Sequence, residues 1–240
     1  MQDNSVERLF EEQLEHYSKT ASSALRSPLI KLFSKWVKAR KIKKTLKIAE
    51  FGGAAGQLLI ELNKKYLNSQ LTNIEIVQSY QKKQISRKIK FIKGTIIKSE
   101  LPSKSFDVLI IRDVLHHLVG KNLAETRLNQ QKALKDLKRL VKPGGIILVE
   151  ELINQSLLAG KFIYYLCKLN TFLKIRIDKL EISPETQIAL FNGKTLTETF
   201  EKIFPKKAII CSQFIENKNI KGRLVHLGAP YGKMIYQIQA

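Results

Sequence analysis

The sequence predicts an α/β fold with a doubly wound, mainly parallel sheet. Apolar runs of strand length alternate with amphipathic helical patterns from residue 46 to residue 150. This alternation is typical of a parallel sheet that is covered by helices on both faces. The first run, Leu46–Phe51, passes through a glycine-rich turn directly into a helical pattern. Strand, tight turn and helix together form the opening unit of a nucleotide-binding sheet.

Length and composition indicate one generous globular domain. The chain has 240 residues, of which 44% are apolar, and this is sufficient for a full hydrophobic core. Its two cysteines, Cys167 and Cys211, are far apart and have neither disulfide nor metal-site spacing. The most apolar stretch, residues 157–175, is interrupted by three lysines, so we expect no transmembrane segment. The opening residues do not resemble a signal peptide. A cytoplasmic location is the expectation, with peripheral membrane association as an open alternative.

The net charge of +21 is the unusual bulk property. Residues 26–47 hold nine basic side chains and no acidic one, and residues 82–104 hold eight with only Glu100 against them. Such clusters predict an anionic partner, which is a membrane surface, an acidic carrier protein or RNA. The alternative is a lysine-rich composition spread over a solvated surface.

Two helices are predicted before the first strand. Asn4 and Glu7 have the spacing of a capping box for a helix that ends near Tyr17. Pro28 suits the first turn of a second helix, whose apolar residues recur at helical spacing and include Trp36. We therefore expect residues 1–44 to form an N-terminal helical cap on the sheet.

The central elements follow in order. Strands are predicted over residues 46–51, 71–77, 89–94, 106–111 and 146–150, and longer helices over residues 57–67 and 124–141. Apart from Asp107, the fourth strand is apolar, as expected for a strand that is buried on both faces. Lys142, Pro143, Gly144 and Gly145 are predicted to form a turn that stops the preceding helix.

The regular alternation ends after residue 151. A helical apolar stripe then predicts an inserted helical segment over one end of the sheet; its members are Leu158, Phe162, Tyr165, Leu166, Leu169 and Phe172. A helix over residues 195–204 and strands near 208–214 and 233–239, with a loop around 217–222, complete the chain. The predicted single domain, 1–240, thus divides into a cap (1–44), a ligand-binding core (45–151), a substrate lid (152–194) and a final section (195–240).

The residues around the first turn carry the most chemistry. Glu50 ends the first strand, and Phe51, Gly52, Gly53, Ala54 and Gly56 form the turn. Glycines permit positive φ and close approach of a ligand to the backbone. A dinucleotide-binding fingerprint that starts at Gly52 requires glycines at positions 54 and 57, which are occupied by Ala54 and Gln57. The spacing therefore argues against a dinucleotide-binding site.

In order and context, these motifs resemble the class I S-adenosylmethionine-dependent methyltransferases, in particular their small-molecule branch. Glu50, Gly52 and Gly56 match the family's acid and alternating glycines, with Ala54 in place of the middle glycine. The motif Lys142 to Gly145 matches the turn before the fifth strand. The resemblance implies a Rossmann-like sheet of seven strands whose last strand is antiparallel, and it implies S-adenosyl-L-methionine as the cofactor.

The resemblance also implies roles for individual residues. Glu75, at the end of the second strand, corresponds to the acid that binds the ribose hydroxyls. Thr95 stands where an acid commonly holds the adenine amino group, and Ile96 is placed to pack on the adenine ring. Arg112 and Asp113 lie beside the methionine portion. The expected cofactor-binding set is Glu50, Phe51, Gly52, Gly53, Ala54, Gly56, Glu75, Ile76, Thr95, Ile96, Arg112 and Asp113.

The expected reaction is methyl transfer to an apolar, aromatic or lipid-like small molecule. His116 and His117 follow the fourth strand, and either is a candidate general base for an oxygen nucleophile, because an imidazole titrates near neutral pH. Helix packing explains the two histidines equally well. Two alternatives stay open. One is an RNA methyltransferase, favoured by the basic clusters, and the other is a non-catalytic cofactor-binding or partner-binding domain of the same fold. No metal site is expected.

Overall fold

Seven strands form one sheet in the computed structural model, which describes residues 7, 10, 11, 26–177 and 182–240. The strands are β1 Leu46–Phe51, β2 Ser69–Glu75, β3 Ile89–Lys93, β4 Phe106–Arg112, β5 Val141–Asn154, β6 Ile209–Glu216 and β7 Tyr231–Gln239. Their order is β3-β2-β1-β4-β5-β7-β6. Strands β1 to β5 are parallel to one another, whereas β7 is antiparallel to both β5 and β6. The predicted fold class is confirmed.

Helices cover both faces of this sheet. They are α1 Pro28–Ala39, α2 Gln57–Lys65, α3 Tyr80–Lys83, α4 Leu123–Leu140, α5 Leu157–Leu173, α6 Gly193–Glu201 and α7 Ile220–Val225. A 3₁₀ turn, Leu115–His117, follows β4, and a second one, Lys206–Ala208, precedes β6. Most of the helix predicted to end near Tyr17 lies outside the described residues; of its positions, residues 7, 10 and 11 are described and are helical. No helix in the described ranges has the length and apolarity that a membrane crossing needs.

The core has two layers, one on each face of the sheet. Val108 and Ile110 of β4 pack with α1 and α2, and Leu109 and Ile111 pack with α4 and α6. Strand side chains alternate between faces, so an apolar run that is buried on both sides is what this central position requires. The result is a rigid sheet whose carboxyl edge carries the polar residues described below.

Strand β5 differs most from the prediction. It runs from Val141 to Asn154 without a break, so the predicted turn at 142–145 lies inside it and Glu151 belongs to the strand. Gly144 has a φ of +75°, and the sheet register shifts between Phe106 and Val108. The glycines therefore accommodate an irregularity at the start of the strand and do not end it. The extension changes the site, because it adds Glu151 to the strand's buried residues.

Two smaller differences concern β2 and α7. Strand β2 begins and ends two residues earlier than predicted, and Glu75 is its last residue. The segment expected to be a loop contains α7, whose N-cap Asn219 accepts hydrogen bonds from the amides of Lys221 and Gly222. Local capping by an asparagine is sufficient to start such a short helix.

Candidate functional site

The candidate site lies at the carboxyl ends of parallel strands β1, β2, β4 and β5. Glu50 and Glu75 lie at or next to the ends of β1 and β2, Arg112 is the last residue of β4, and Glu150 lies beside Arg112 in the longer strand β5. Open α/β sheets bind ligands at this edge, where the order of the strands reverses direction. In this chain the reversal is between β1 and β4, which are neighbours in space but not in sequence.

The glycine-rich turn after β1 has the backbone that the sequence implied. Gly52 and Gly56 have φ values of +70° and +82°, and Ala54 has +48°. Gly53 is required for a different reason, since a Cβ at that position would lie 2.6 Å from Oδ1 of Asn73 and 2.8 Å from Oε2 of Glu50. The turn is therefore packed directly against the buried carboxylate that precedes it.

Glu50 is a buried acid with no hydrogen-bond partner. Its side chain is 1% exposed, and neither carboxylate oxygen has a partner among the residues that the structure describes. Burial raises its pKa to about 7, although the positive charge of Arg112 opposes the rise. An unpartnered buried carboxylate is costly, and a cationic ligand group would remove that cost.

Glu75 holds the glycine-rich turn against β2. Its Oε2 accepts a hydrogen bond from the amide of Ala54 at 3.1 Å, and its Oε1 accepts one from the amide of Ile76 at 2.8 Å. Burial raises the pKa of Glu75, while these amides act in the opposite direction. Asn73 supports the same turn by donating to the Ala54 carbonyl at 2.7 Å.

Strand β4 ends at Arg112, whose positive charge acts on Glu50, and Asp113 follows directly. Asp113 has a φ of +57°, and its Oδ2 pairs with the ammonium of Lys233 from β7. Burial alone would raise the pKa of Asp113, but Lys233, His116 and Arg112 together hold it below its usual value. The site therefore combines a charged carboxylate at β4 with a carboxyl at β1 that titrates near neutral pH.

His116 is oriented by a carboxylate that is fully buried. Its Nδ1 hydrogen-bonds to Oε1 of Glu151, whose Oε2 accepts from the amide of Leu115 at 2.9 Å. The amide of Ala189 donates to the His116 carbonyl at 2.8 Å. A carboxylate on one ring nitrogen fixes the ring and leaves Nε2 for proton transfer.

His117 occupies a different environment. Burial, followed by the neighbouring His116, lowers its pKa well below the usual value, so it stays neutral near pH 7. Within the described part of the chain, its Nδ1 has no hydrogen-bond partner. The ring of Phe10 lies edge-on against it with the centroids 5.0 Å apart. The two histidines are therefore distinct, and only His116 has an orienting carboxylate.

Asp113, His116 and Glu151 bring their ligand atoms within 4.8 Å of one another, close enough to surround a metal ion. The ammonium of Lys233 already neutralises the carboxylate of Asp113. A divalent cation at this point would have to displace a cation that is covalently part of the sheet. We therefore interpret the cluster as a hydrogen-bonded set and not as a metal centre.

For the remaining predicted residues, the contacts that the structure shows are with other parts of the protein. Thr95 Oγ1 accepts from the amide of Ile97 at 3.2 Å, and Ile96 is buried in the hydrophobic core. Ile76 contributes its amide to Glu75, and Phe51 is also a core residue. Cofactor contacts at these four positions, as at the other predicted positions, stay predictions.

Sequence reasoning missed several residues of the site, namely Asn73, Glu150, Glu151 and Lys233. One signal was available, because Glu150 and Glu151 are adjacent acids at the end of an apolar run. Buried acids at a strand end are candidates for function. For Lys233 the sequence contains no such signal, because its partner Asp113 is 120 residues away.

Residues 49–149 match the family model described as a methyltransferase domain. This range contains Glu50, the glycine-rich turn, Glu75 and both histidines. It ends just before the two acids of β5. No curated protein matches the chain by sequence.

Solved structures share the fold at low sequence identity. An S-adenosylmethionine-dependent methyltransferase from Aquifex aeolicus has a TM-score of 0.54 and 15% identity over 95% of this chain and 97% of its own. CrArsM, an arsenic(III) S-adenosylmethionine methyltransferase from Chlamydomonas reinhardtii, has a TM-score of 0.56 and 13% identity over 81% of this chain. The match spans 64% of CrArsM, less than two thirds of its length. The [4+2]-cyclase SpnF has a TM-score of 0.56 and 13% identity over 88% of this chain and 80% of its own.

Proposed function

We propose that this chain is a class I S-adenosylmethionine-dependent methyltransferase, as the match of residues 49–149 to a methyltransferase domain supports, and that it methylates a hydroxyl group of a small apolar, aromatic or lipid-like molecule. The observation that carries the hydroxyl is the buried pair of His116 and Glu151. A hydroxyl needs to lose its proton during methyl transfer, whereas a carbanion or a neutral amine does not need a base in the same way.

The residues present fit the cofactor. Glu50 offers two unpartnered carboxylate oxygens in a buried position, which suits the ammonium of the methionine portion. Glu75 lies at the end of β2 and already accepts two amide hydrogen bonds, and the ribose hydroxyls are its proposed further donors. S-adenosylmethionine supplies a methyl group that is activated by its sulfonium, so the protein's part is to position, desolvate and deprotonate.

Deprotonation is assigned to Nε2 of His116. The Nδ1 atom faces Glu151, so the imidazolium that forms when Nε2 accepts a proton is stabilised by that buried carboxylate. His117 is the weaker candidate, since its lowered pKa makes it a poor proton acceptor at neutral pH. We propose that His117 shapes the acceptor cavity together with Phe10, against which it packs.

The experiment measures transfer of labelled methyl groups from S-adenosylmethionine to matched phenol and aniline acceptors. Phenol ethers should form, and His116→Ala should lower kcat by about 10²–10⁴-fold while leaving cofactor affinity within about threefold. Glu151→Gln should also lower kcat, because the imidazolium loses its charged partner.

The control is His226→Ala. His226 is also buried, and its pKa is lowered to about 4 by burial and, to a smaller extent, by the charge of His116, but its own hydrogen-bond and ring partners are Asn154 and Tyr231. Exclusive methylation of amines, or full activity of His116→Ala, would contradict the proposed hydroxyl chemistry. Failure to bind S-adenosylmethionine in calorimetry would contradict the enzyme assignment as a whole.

An anionic partner is the second part of the proposal. In the cluster 26–47, Lys31, Lys35 and Lys38 lie on the exposed side of α1, whereas Lys44 pairs with Asp107 at 2.6 Å. The exposed lysines support electrostatic attraction to an acidic surface. Binding to RNA with a steep salt dependence, together with methylation of that RNA, would favour the RNA methyltransferase alternative over a small acceptor.

A further inference from the structure

Helix α5 exposes an apolar surface that the hydrophobic core does not use. Six large side chains form this α5 apolar face: Leu158, Phe162, Tyr165, Leu166, Leu169 and Phe172, and all six are exposed. Leu158 is 78% exposed and Phe172 is 83% exposed. At 100° per residue these positions lie on one side of the helix. A continuous exposed apolar stripe on this scale indicates an interaction surface.

The opposite side of α5 attaches the helix to the protein. Gly160, Ile163, Tyr164 and Asn170 are its buried residues, and the Gln187 side chain donates to the carbonyl of Cys167 at 3.1 Å. The helix therefore has a fixed inner side and a separate outer side. Because the inner side is packed, the apolar face is a feature of the folded protein.

The charged residues of helix α5 itself have one sign. Helix α5 contains no acidic residue, and it carries Lys161 and Lys168 along one border of the face, with Lys174 and Arg176 just beyond its C-terminal end. Arg176 pairs with Glu185, while Lys161 and Lys174 are exposed. An apolar, aromatic-containing face bordered by lysines is the pattern of helices that lie in the interface of anionic membranes.

We propose that the α5 apolar face docks on the surface of an anionic lipid bilayer. The high exposure of its side chains means that they project outward as a ridge, and a fluid bilayer can accept a ridge without a matching groove. A second copy of the chain is disfavoured, because it would bring the lysine borders of two strongly basic molecules together. An acidic protein would also satisfy the charge but would need a shaped groove for six projecting side chains.

The position of α5 connects this surface to the site. Two residues separate this helix from β5, the strand that carries Glu150 and Glu151. Its inner side packs on the segment around Gln187 and Leu190, and from that segment Ala189 donates to the His116 carbonyl. Docking would place the segment that contacts His116 close to the lipid phase. The docking proposal itself does not depend on the chemistry of the acceptor.

The test is flotation of the full chain with vesicles of phosphatidylcholine, either alone or mixed with phosphatidylglycerol. The protein should float with the mixed vesicles and much less with the neutral ones. The F162S/F172S variant should lose at least about tenfold in partitioning, while L67S should not. Leu67 is equally exposed, at 78%, and follows α2 away from this face. Unchanged cofactor affinity of the variants shows that they are folded.

Two charge-reversal variants distinguish docking through α5 from the general attraction of a basic protein to an anionic membrane. Lys161→Glu should weaken partitioning by about fivefold or more, and Lys35→Glu on α1 should have a smaller effect. Equal effects of the two substitutions, or flotation that is insensitive to F162S/F172S, would overturn the proposal. So would sedimentation showing a dimer that F162S/F172S dissociates without any vesicle binding. Because flotation does not require turnover, its result is independent of the proposed hydroxyl chemistry.

Discussion

Glu50 is the clearest case of a residue that lowers the stability of the ligand-free protein and is proposed to bind the ligand. It is buried without a hydrogen-bond partner in the described structure, and its pKa is raised to about 7. A pKa raised on folding means that the folded state binds the proton more tightly than the unfolded chain does. The stabilising contribution is therefore complete below the unfolded pKa of 4.5 and is lost as the pH rises towards 7.

The first prediction is that Glu50→Gln stabilises the cofactor-free protein at alkaline pH. Between about pH 5 and pH 8 the wild type should lose roughly 3 kcal/mol that the variant keeps, and denaturant unfolding at both pH values measures this. Cofactor affinity should fall by about tenfold or more, because the ammonium loses its carboxylate. A variant that binds S-adenosylmethionine normally would show that the ammonium lies elsewhere.

Ala54 is a second unfavourably placed residue, because it adopts a backbone conformation that favours glycine. It has a φ of +48° in the glycine-rich turn, and a side chain in the left-handed region costs about 1–2 kcal/mol. Ala54→Gly should therefore raise the free energy of unfolding by about 1 kcal/mol, after allowance for the greater freedom of glycine in the unfolded chain. Gly56→Ala is the matched opposite change. It should destabilise the protein, because Gly56 has a φ of +82° and an added Cβ would lie 2.6 Å from Ile89.

At the scale of single elements, α1 is joined to the site by one hydrogen bond. Ser27 is the N-cap of α1 and accepts from the amide of Leu29, and its hydroxyl donates to Oε2 of Glu150 at 2.7 Å. Both side chains are buried. The same serine thus caps a helix and satisfies an acid on the strand that carries Glu151.

The third prediction concerns this serine. Ser27→Ala should cost about 1–3 kcal/mol, because it removes an N-cap and leaves a buried carboxyl without its donor. Ser34→Ala is the control. Ser34 lies in the same helix, and its hydroxyl only donates to the carbonyl of Ile30, so its loss should be well below that of Ser27. Equal unfolding free energies for the two variants would refute the link between α1 and Glu150.

Elements also differ in how well the sequence predicts them. Strand β4 was recognisable because every position from Val108 to Ile111 is apolar. Strand β5 was predicted too short, because Glu150 and Glu151 resemble the end of a strand when their buried partners are unknown. Helix α5 was recognised by its period, but period alone does not reveal which side faces the core. Its stripe suggested a packed lid, and the structure instead exposes that stripe.

The residues of the site also differ in how well the sequence predicts them. The glycine-rich turn is local in sequence, and so Glu50 and its neighbours could be recognised from spacing. His116 was a candidate, but its distinction from His117 depends on Glu151, which is 35 residues away. Contacts over such separations depend on the folded sheet. Residue patterns therefore predict the cofactor better than they predict the base.

At the scale of the whole molecule, the dominant property is like-charge repulsion. The chain has 42 basic and 21 acidic residues, and a large net charge destabilises the compact state. Several basic residues are neutralised internally, and Asp107 alone pairs with both Lys44 and Lys142. Many others, such as the lysines on α1, lie on the exposed surface.

The fourth prediction is that added sodium chloride raises the thermal midpoint of unfolding. The Debye length falls from about 30 Å at 0.01 M to about 8 Å at 0.15 M, so repulsion between surface lysines is screened over this range. Thermal scans at fixed pH should show an increase of a few degrees that sucrose of the same osmolality does not reproduce in the same way. A midpoint that falls with salt would mean that attractive ion pairs dominate.

The adjacent acids of β5 have a consequence for engineering. Successive side chains of a strand point to opposite faces, and here Glu150 contacts Ser27 of α1 whereas Glu151 contacts His116. The segment that covers one face and the imidazole on the other are therefore anchored by neighbouring but separate residues. We therefore expect that an α1 segment from a related protein can be exchanged, if it retains the serine, without moving the carboxylate that holds His116.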